Sequence, residues 1–285
     1  MKTGLIMEGG AMRGMFTAGV MDVLMEAGVE FEGAIGVSAG ACFGCNYKSR
    51  QIGRVLRYNT TYARDKRYGG LRILLREGNL FSTDFCYDVL PNRLDPFDYE
   101  TYEQNPMEFW VVCTDIETGK PVYHRYEGKH DHGLDWIRAS ASMPLVSRVV
   151  QIEGQKLLDG GMSDSIPLDF FQSIGYERNV LILTQPEDYR KGPEKLLPLM
   201  KAYYRRYPEL IATMSRRHRD YNACLERIAA QEAKGEILVI RPKEKLLIAK
   251  AEKDPDKIRA VYDLGREAAI EALDRVKAFL REAKA

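Results

Sequence analysis

Between residues 33 and 42 the chain reads Gly33-Ala34-Ile35-Gly36-Val37-Ser38-Ala39-Gly40-Ala41-Cys42. A short apolar run ends at a serine, with glycines two residues before and two after it, and small residues follow at once. This predicts a strand that turns sharply into a helix with Ser38 at the apex. Tight strand-to-helix turns call for glycine neighbours, because a Cβ there would collide with the turning backbone. Such a turn lifts the hydroxyl out of a sheet and holds it at a helix N-terminus, where unpaired N–H groups favour developing negative charge. Small residues also occupy strand–helix junctions for packing alone, so residues 36–40 by themselves fit either a nucleophile or a plain turn.

The flanking pattern sets the fold class. Gly4 to Met7 reads as a short buried strand. The glycine-rich loop Glu8-Gly9-Gly10-Ala11-Met12-Arg13-Gly14 follows. Next comes a helix from Met15 to Ala27, with Phe16, Val20, Val23 and Leu24 at helical spacing and Gly28 as its stop. A helix from Ala39 toward Tyr47 leaves the elbow. Strand–helix–strand–helix in this short stretch predicts parallel pairing through right-handed crossovers, hence an α/β fold with a mostly parallel central sheet flanked by helices.

Further along, Phe109 to Thr114 reads as a buried strand that turns at Glu117-Thr118-Gly119-Lys120 and pairs back through Pro121 to His124. Leu134 to Ala141 reads as a helix stopping before Pro144. Val149–Ile152 and Gln155–Leu158 predict a second hairpin that ends at Asp159-Gly160-Gly161, and Val180 to Thr184 another buried strand. The apolar patch Gly69 to Arg76 sits between Gly69-Gly70 and Gly78; it reads as a packing helix in preference to a cover over a site. After Pro186 the composition shifts. Residues 190–234 are expected to be helical and carry eleven Lys or Arg against five acids. Glu236 to Arg241 predicts a strand returning to the sheet before Pro242, and 256–283 a long amphipathic helix. The expected organisation is an α/β unit over 4–185 and a helical C-terminal addition over 186–285.

Composition mainly excludes. At 285 residues and 45% hydrophobic the chain can bury a full core, and a formal net charge of +1 gives no global bias toward nucleic acid. The segment before Glu8 is too short for a secretory leader, no apolar run approaches the ~18 residues of a membrane span, and the five cysteines are expected as reduced thiols. A cytosolic protein, at most peripheral to a membrane, is expected.

Three loops at strand ends, where open α/β sheets place their sites, now belong together. Gly9 through Gly14 presents consecutive backbone N–H groups and suits an anion. The elbow supplies Ser38. Asp159 puts a carboxylate after a hairpin, beside Gly160 and Gly161. An oxyanion pocket, a nucleophile and a base are what acyl transfer requires.

This set (Gly9-Gly10-Ala11-Met12-Arg13-Gly14, Gly36-Val37-Ser38-Ala39-Gly40 and Asp159-Gly160-Gly161, with the run Ala139-Ser140-Ala141-Ser142-Met143-Pro144) resembles the patatin-like phospholipase family over residues 4–185. The resemblance implies a three-layer α/β fold and a Ser–Asp dyad hydrolase of lipid esters, with no metal or cofactor. By position, Ser38 is the nucleophile, Asp159 the general base and 9–14 the oxyanion element. Gly10, Ala11 and Ala39 are the expected N–H donors, and Gly36, Gly40, Gly160 and Gly161 support the turns. The family often has a third glycine where this chain has Ala11, which fits there at negative φ. A carboxylate at its reference pKa of ~3.9 is a weak base for a hydroxyl, so burial beside Leu158 and Met162 has to raise its basicity. A soluble carboxylesterase or thioesterase with the same dyad, and a catalytically silent lipid-binding regulator, are the alternatives.

Lesser signals have plainer readings. Arg13 either braces the loop or forms an ion pair. His218, in the basic stretch 216–219, is expected to be solvated, leaving the dyad without a histidine. Gly9-x-Ala11-x-x-Gly14 with Glu32 imitates a dinucleotide fingerprint, but the next strand end is spent on the elbow. Cys42-x-x-Cys45 reads as core thiols and His130-Asp131-His132 as a polar loop. The basic stretch 190–234, interleaved with Tyr203, Tyr204, Tyr207 and Tyr221, fits either a solvated face or peripheral contact with anionic membrane.

Overall fold

A computed structural model of the protein describes residues 1–284. Its strands are β1 (Lys2–Met7), β2 (Gly33–Val37), β3 (Glu108–Asp115), β4 (Pro121–Arg125), β5 (Val150–Ile152), β6 (Gln155–Asp159), β7 (Tyr176–Ile182) and β8 (Ile237–Ile240). The helices are α1 (Gly14–Glu26), α2 (Ala39–Lys48), α3 (Arg54–Tyr62), α4 (Leu71–Glu77), α5 (Tyr99–Gln104), α6 (Asp135–Ser140), α7 (Leu168–Ser173), α8 (Leu197–Tyr203), α9 (Pro208–Ala233) and α10 (Pro255–Lys284), with a π-helical segment Phe85–Leu94.

The strands form one sheet in the order β5-β6-β3-β2-β1-β7-β8, with β4 also paired to β3. β3, β2, β1, β7 and β8 run parallel, while β4, β5 and β6 are joined antiparallel. The period-two alternation of β1 and β2 splits the core. Leu5, Met7 and Ala34 pack toward α1, α2 and α10 on one face, while Ile6, Ile35 and Val37 join Ile166, Phe171 and Ile228 under α7 and α9 on the other. Helices therefore cover both faces, as the expected three-layer arrangement requires.

The C-terminal part is woven into this frame. β8 pairs with β7 in parallel, Asn179 to Ile182 against Ile237 to Ile240. α10 lies against α1 so closely that a Cβ at Gly19 would stand 2.0 Å from Tyr262 O, and one at Gly265 2.0 Å from Phe16 O. At the same crossing Tyr262 Oη donates to the buried Asp22 Oδ2 at 2.6 Å and Arg266 pairs with Glu26 at 2.8 Å.

Two local expectations need correction. Residues 190–196, expected helical, are irregular, because Gly192 and Pro193 break the run, and the helices α8 and α9 are separated before Pro208. Within the segment 69–76 a helix does form, α4 from Leu71 on, but plain packing does not describe it. Only Ile73 is buried, while Leu71 and Leu75 are 70% and 80% exposed.

Candidate active site

The central juxtaposition follows from strand register. β3 pairs with β4 along one edge and with β2 along the other, where Val37 faces Val112. Had β2 continued, Ser38 would have faced Cys113. Instead β2 leaves the sheet at the elbow, and β6 enters the same edge from the opposite direction with Asp159 against Cys113. The two strands meet head to head. Val37, the residue before Ser38, and Asp159 thereby face consecutive residues of β3, Val112 and Cys113, which brings Ser38 and Asp159 together although they are remote in sequence.

Ser38 occupies φ 55°, ψ −120°, a conformation L-residues rarely adopt, held by what surrounds it. The turn closes because Gly36 and Gly40 touch: a Cβ on Gly36 would lie 2.4 Å from Gly40 O, and one on Gly40 2.3 Å from Met7 O. Ser38 N–H donates to Ser140 Oγ at 2.9 Å, and that fully buried hydroxyl donates to Val112 O at 2.6 Å. Ser140 thus latches the elbow to β3. The run 139–144 carried this residue as family support without a role, since the contact spans 102 residues of sequence.

Ser38 Oγ donates to Asp159 Oδ2 at 2.7 Å, and Gly161 N–H donates to the other oxygen, Oδ1, at 2.7 Å. The backbone of Asp159 is held as well. Its N–H donates to Ser142 O at 2.8 Å, and its carbonyl accepts from Thr114 Oγ1 at 2.8 Å. Burial pushes the Asp159 pKa up from the ordinary carboxylate value; the Ser38 and Gly161 hydrogen bonds and the charges of Arg217 and Lys250 pull the other way. The direction is the one a carboxylate base needs.

The glycine-rich loop leaves β1 beside this pair. Arg13 N–H donates to Gly10 O and Gly14 N–H to Ala11 O, which removes those two amides from the expected oxyanion element. The N–H groups of Gly10, Ala11 and Ala39 have no acceptor among the described residues, and Gly9 and Met12 complete the loop. Ala11 corrects an expectation: its φ is +50°, not negative, so a methyl group sits where the left-handed conformation favours glycine. A buried acid ahead of the loop is its anchor. Glu8 accepts from Thr184 N–H at 2.7 Å, Thr184 Oγ1 at 3.0 Å and Tyr221 Oη at 2.5 Å. The residue type was unremarkable in sequence because both partners lie more than 170 residues away. Arg13 forms no ion pair among the described residues, and its Nε is buried without a partner.

Two cavities flank Ser38. One, of about 150 Å³, is lined by apolar side chains including Phe43, Tyr58, Leu90, Phe97 and Ile137. The other, of about 520 Å³, includes Asp159, Arg13, Lys191, Arg217 and His218 in its wall. His218 is therefore not the solvated residue expected. α9 turns it inward, half-buried, with Nδ1 unpartnered, and no histidine stands between Ser38 and Asp159.

The remaining candidates are engaged elsewhere. Glu32 precedes β2, at the end of the strand away from Ser38, and accepts from Thr3 N–H at 2.8 Å, which rules it out as a ribose ligand in a dinucleotide site. Burial pushes the Cys42 and Cys45 thiols up to about 12, so neither is a reactive thiolate. Asp131 is taken by His124 and His132 by Glu153.

Comparison with known proteins agrees with this architecture. Residues 5–171 match the family model described as patatin-like phospholipase, and residues 207–281 match one described as a domain of unknown function (DUF6363). The chain is 31% identical over 207 residues to the uncharacterized protein YjjU of Escherichia coli (strain K12), covering 67% of this chain and 54% of that protein. It is 30% identical over 185 residues to lysophospholipase nte1 of Aspergillus fumigatus, covering 60% of this chain and 11% of that protein. The chain thus spans about half the length of the first relative and about a tenth of the second. The crystal structure of VipD from Legionella pneumophila superimposes with a TM-score of 0.53 at 11% identity, covering 96% of this chain and 67% of that one, a likeness of fold alone.

Proposed function

The chain belongs to the patatin-like phospholipase family, a family of hydrolases acting on ester bonds, and on that premise we propose that it is a serine lipid acyl hydrolase with Ser38 as nucleophile and Asp159 as base. The observation that carries this reading is the buried 2.7 Å hydrogen bond from Ser38 Oγ to Asp159 Oδ2. Ser38 Oγ attacks the ester carbonyl as its proton passes to Asp159. The negative charge forming on the carbonyl oxygen is met by the N–H groups of Gly10, Ala11 and Ala39, each worth about 3–4 kcal/mol by the general behaviour of such donors. Collapse expels the alcohol, which takes the proton from Asp159 and leaves acyl-Ser38. A water deprotonated by the same carboxylate then attacks the acyl-enzyme, the C–O bond to Ser38 breaks, Asp159 returns the proton to Ser38 Oγ, and the acid departs. The apolar cavity at Ser38 suits a fatty-acyl chain.

A fluorophosphonate probe together with lipid-substrate profiling tests the reading. Wild type is expected to label and to hydrolyse lipid esters. Ser38→Ala is expected to do neither, and Asp159→Asn to lose roughly 10⁴-fold in kcat. Turnover confined to short soluble esters or thioesters would move the assignment to a carboxylesterase or thioesterase, and absent labelling in wild type to a silent regulator.

Peripheral contact with anionic membrane is part of the same proposal. Leu196, Leu199 and Tyr203 are exposed at α8 beside Lys195 and Lys201, and Leu196 stands at the rim of the larger cavity. Liposome flotation is expected to carry the protein with anionic vesicles at low salt and to release it at high salt; binding indifferent to salt sinks the electrostatic component.

A further inference from the structure

Two turns of the site are tied to one helix. On α9, Arg217 and Tyr221 stand one turn apart, so their side chains leave the same face, and each reaches a different half of the site. Tyr221 Oη donates to Glu8 Oε1 at 2.5 Å, immediately before the glycine-rich loop. Arg217 Nε donates to the carbonyl of Gly161, the residue whose own N–H donates to Asp159 Oδ1 at 2.7 Å. Gly161 O also accepts from Ser165 Oγ at 2.8 Å, but that bond stays within the segment after β6, whereas Arg217 leads out of it to α9.

The loop side needs such a tie. If the N–H groups from Gly9 to Ala11 are to meet a substrate oxygen they have to stay unspent, so the loop cannot be fixed through them. Ala11 at φ +50° adds strain that the surroundings have to hold. The hold lies at the base of the loop. A Cβ at Gly9 would stand 2.9 Å from Ser38 Cβ, and one at Gly10 2.8 Å from Thr184 Oγ1, so the loop is threaded between the elbow and the segment after β7. Thr184 Oγ1 lies 3.0 Å from Glu8 Oε2 and 3.2 Å from Gly9 O. Glu8 is buried, and its other oxygen is met by the phenol from α9.

That phenol is itself fixed. Lys191 Nζ lies 4.2 Å from the centre of the Tyr221 ring, and Tyr189 packs edge-on against it with centroids 6.1 Å apart. Asn222, next on α9, clasps the backbone of Lys191, accepting from its N–H at 2.8 Å and donating to its carbonyl at 3.0 Å. Burial and the neighbouring Glu8 push the Tyr221 pKa up, so it remains an O–H donor.

We propose that α9 is a positioning bracket for the site, with Tyr221 setting the glycine-rich loop through Glu8 and Arg217 setting the turn after Asp159 through Gly161. The inference rests on the hydrolase reading for what the two turns do. It gives a task to the region matched to a domain of unknown function: the α/β unit supplies both turns, and one helix of the C-terminal part holds them in a fixed relation. Both residues act through another, so they are positioning residues.

Kinetics and amide exchange test the bracket separately. Tyr221→Phe removes one hydroxyl and Arg217→Met one guanidinium. Each is expected to lower kcat on a lipid ester roughly tenfold with KM changed less than about twofold, read on the plateau of the pH profile, and Arg217→Lys to recover part of the loss. Exchange is expected to divide by arm. In Tyr221→Phe the amides of Arg13 and Gly14, which bond the Gly10 and Ala11 carbonyls, exchange faster while those of Asp159 and Gly161 keep their rate; Arg217→Met gives the converse. Full kcat in either variant overturns its arm of the bracket, and so does faster exchange spread evenly over the sheet, which marks general loosening. Should Tyr221→Phe fail to fold, Glu8→Gln with Tyr221→Phe, set against Glu8→Gln alone, serves for the same measurements, because no unpaired carboxylate is then buried. Failure of the hydrolase reading shows differently: wild type neither labels with a fluorophosphonate nor turns over esters, while the arm-by-arm exchange pattern, which needs no substrate, still decides the bracket.

Discussion

At the residue scale, the proposed dyad turns on one carboxylate whose surroundings oppose its charge. Asp159 must be ionised to take the Ser38 proton, and its pKa is raised, chiefly by burial. The acid limb of kcat/KM is therefore expected above the ordinary carboxylate value of ~3.9, with activity falling as pH drops through it. The stability sign is opposite to that of a salt-bridged aspartate. With the folded pKa raised, burying the charged form costs stability above that pKa, and the cost disappears as pH falls toward the unfolded value. Acid should thus silence the dyad without this residue promoting unfolding, which a pH–rate profile beside a pH–stability curve resolves; an acid limb at or below ~3.9 refutes it. Ser38 and Asp159 were legible because each stands in a short, local turn pattern. His218 and Ala11 were misjudged for a common reason. Whether a helical residue faces water or a cavity, and whether an alanine sits at positive φ, depends on partners far along the chain.

At the scale of elements, the elbow is a contact between three pieces. β2 and α2 supply the turn, and Ser140 at the end of α6 ties it to β3 by accepting from Ser38 and donating to Val112. Ser140→Ala leaves a buried N–H and a buried carbonyl unpaired. The expected cost is about 2–4 kcal/mol, together with a fall in kcat at little change in KM as Ser38, the proposed nucleophile, loses its fixed orientation. Denaturant unfolding and steady-state kinetics measure the two effects; lost stability at full kcat would make Ser140 structural only. The strands and long helices were readable from apolar periodicity, and the hairpin ending at Asp159 from Glu153-Gly154. The break at 190–196 was signalled by Gly192 and Pro193 but outweighed by the charge run around them. The exposure of Leu71 and Leu75 had no signal, since a short leucine-rich helix reads alike whether it packs or stands clear.

Across the whole molecule, a net charge of +1 gave no hint that Arg13, Lys191, Arg217 and Lys250 converge on the wall of one cavity, because charge summed over 285 residues says nothing of where cations meet. The region 207–281, silent in motif terms, contributes α9 to that wall and α10 to the back of α1. The sheet order was beyond the sequence as well. Nothing local indicates that β6 enters the edge β2 vacates. That head-to-head meeting makes β3 a ruler on which Val37, the residue before Ser38, and Asp159 are adjacent graduations. Their spacing is set by backbone repeat, and neither can drift from the other unless the ladder at Val112 and Cys113 parts. Heat should consequently not dim the enzyme gradually. Residual activity after timed heating and the circular-dichroism melt are expected to trace the same transition, and activity lost well before the melt would refute it. The amides of Val112 and Cys113 belong, on this account, among the last in the molecule to exchange their hydrogen with solvent.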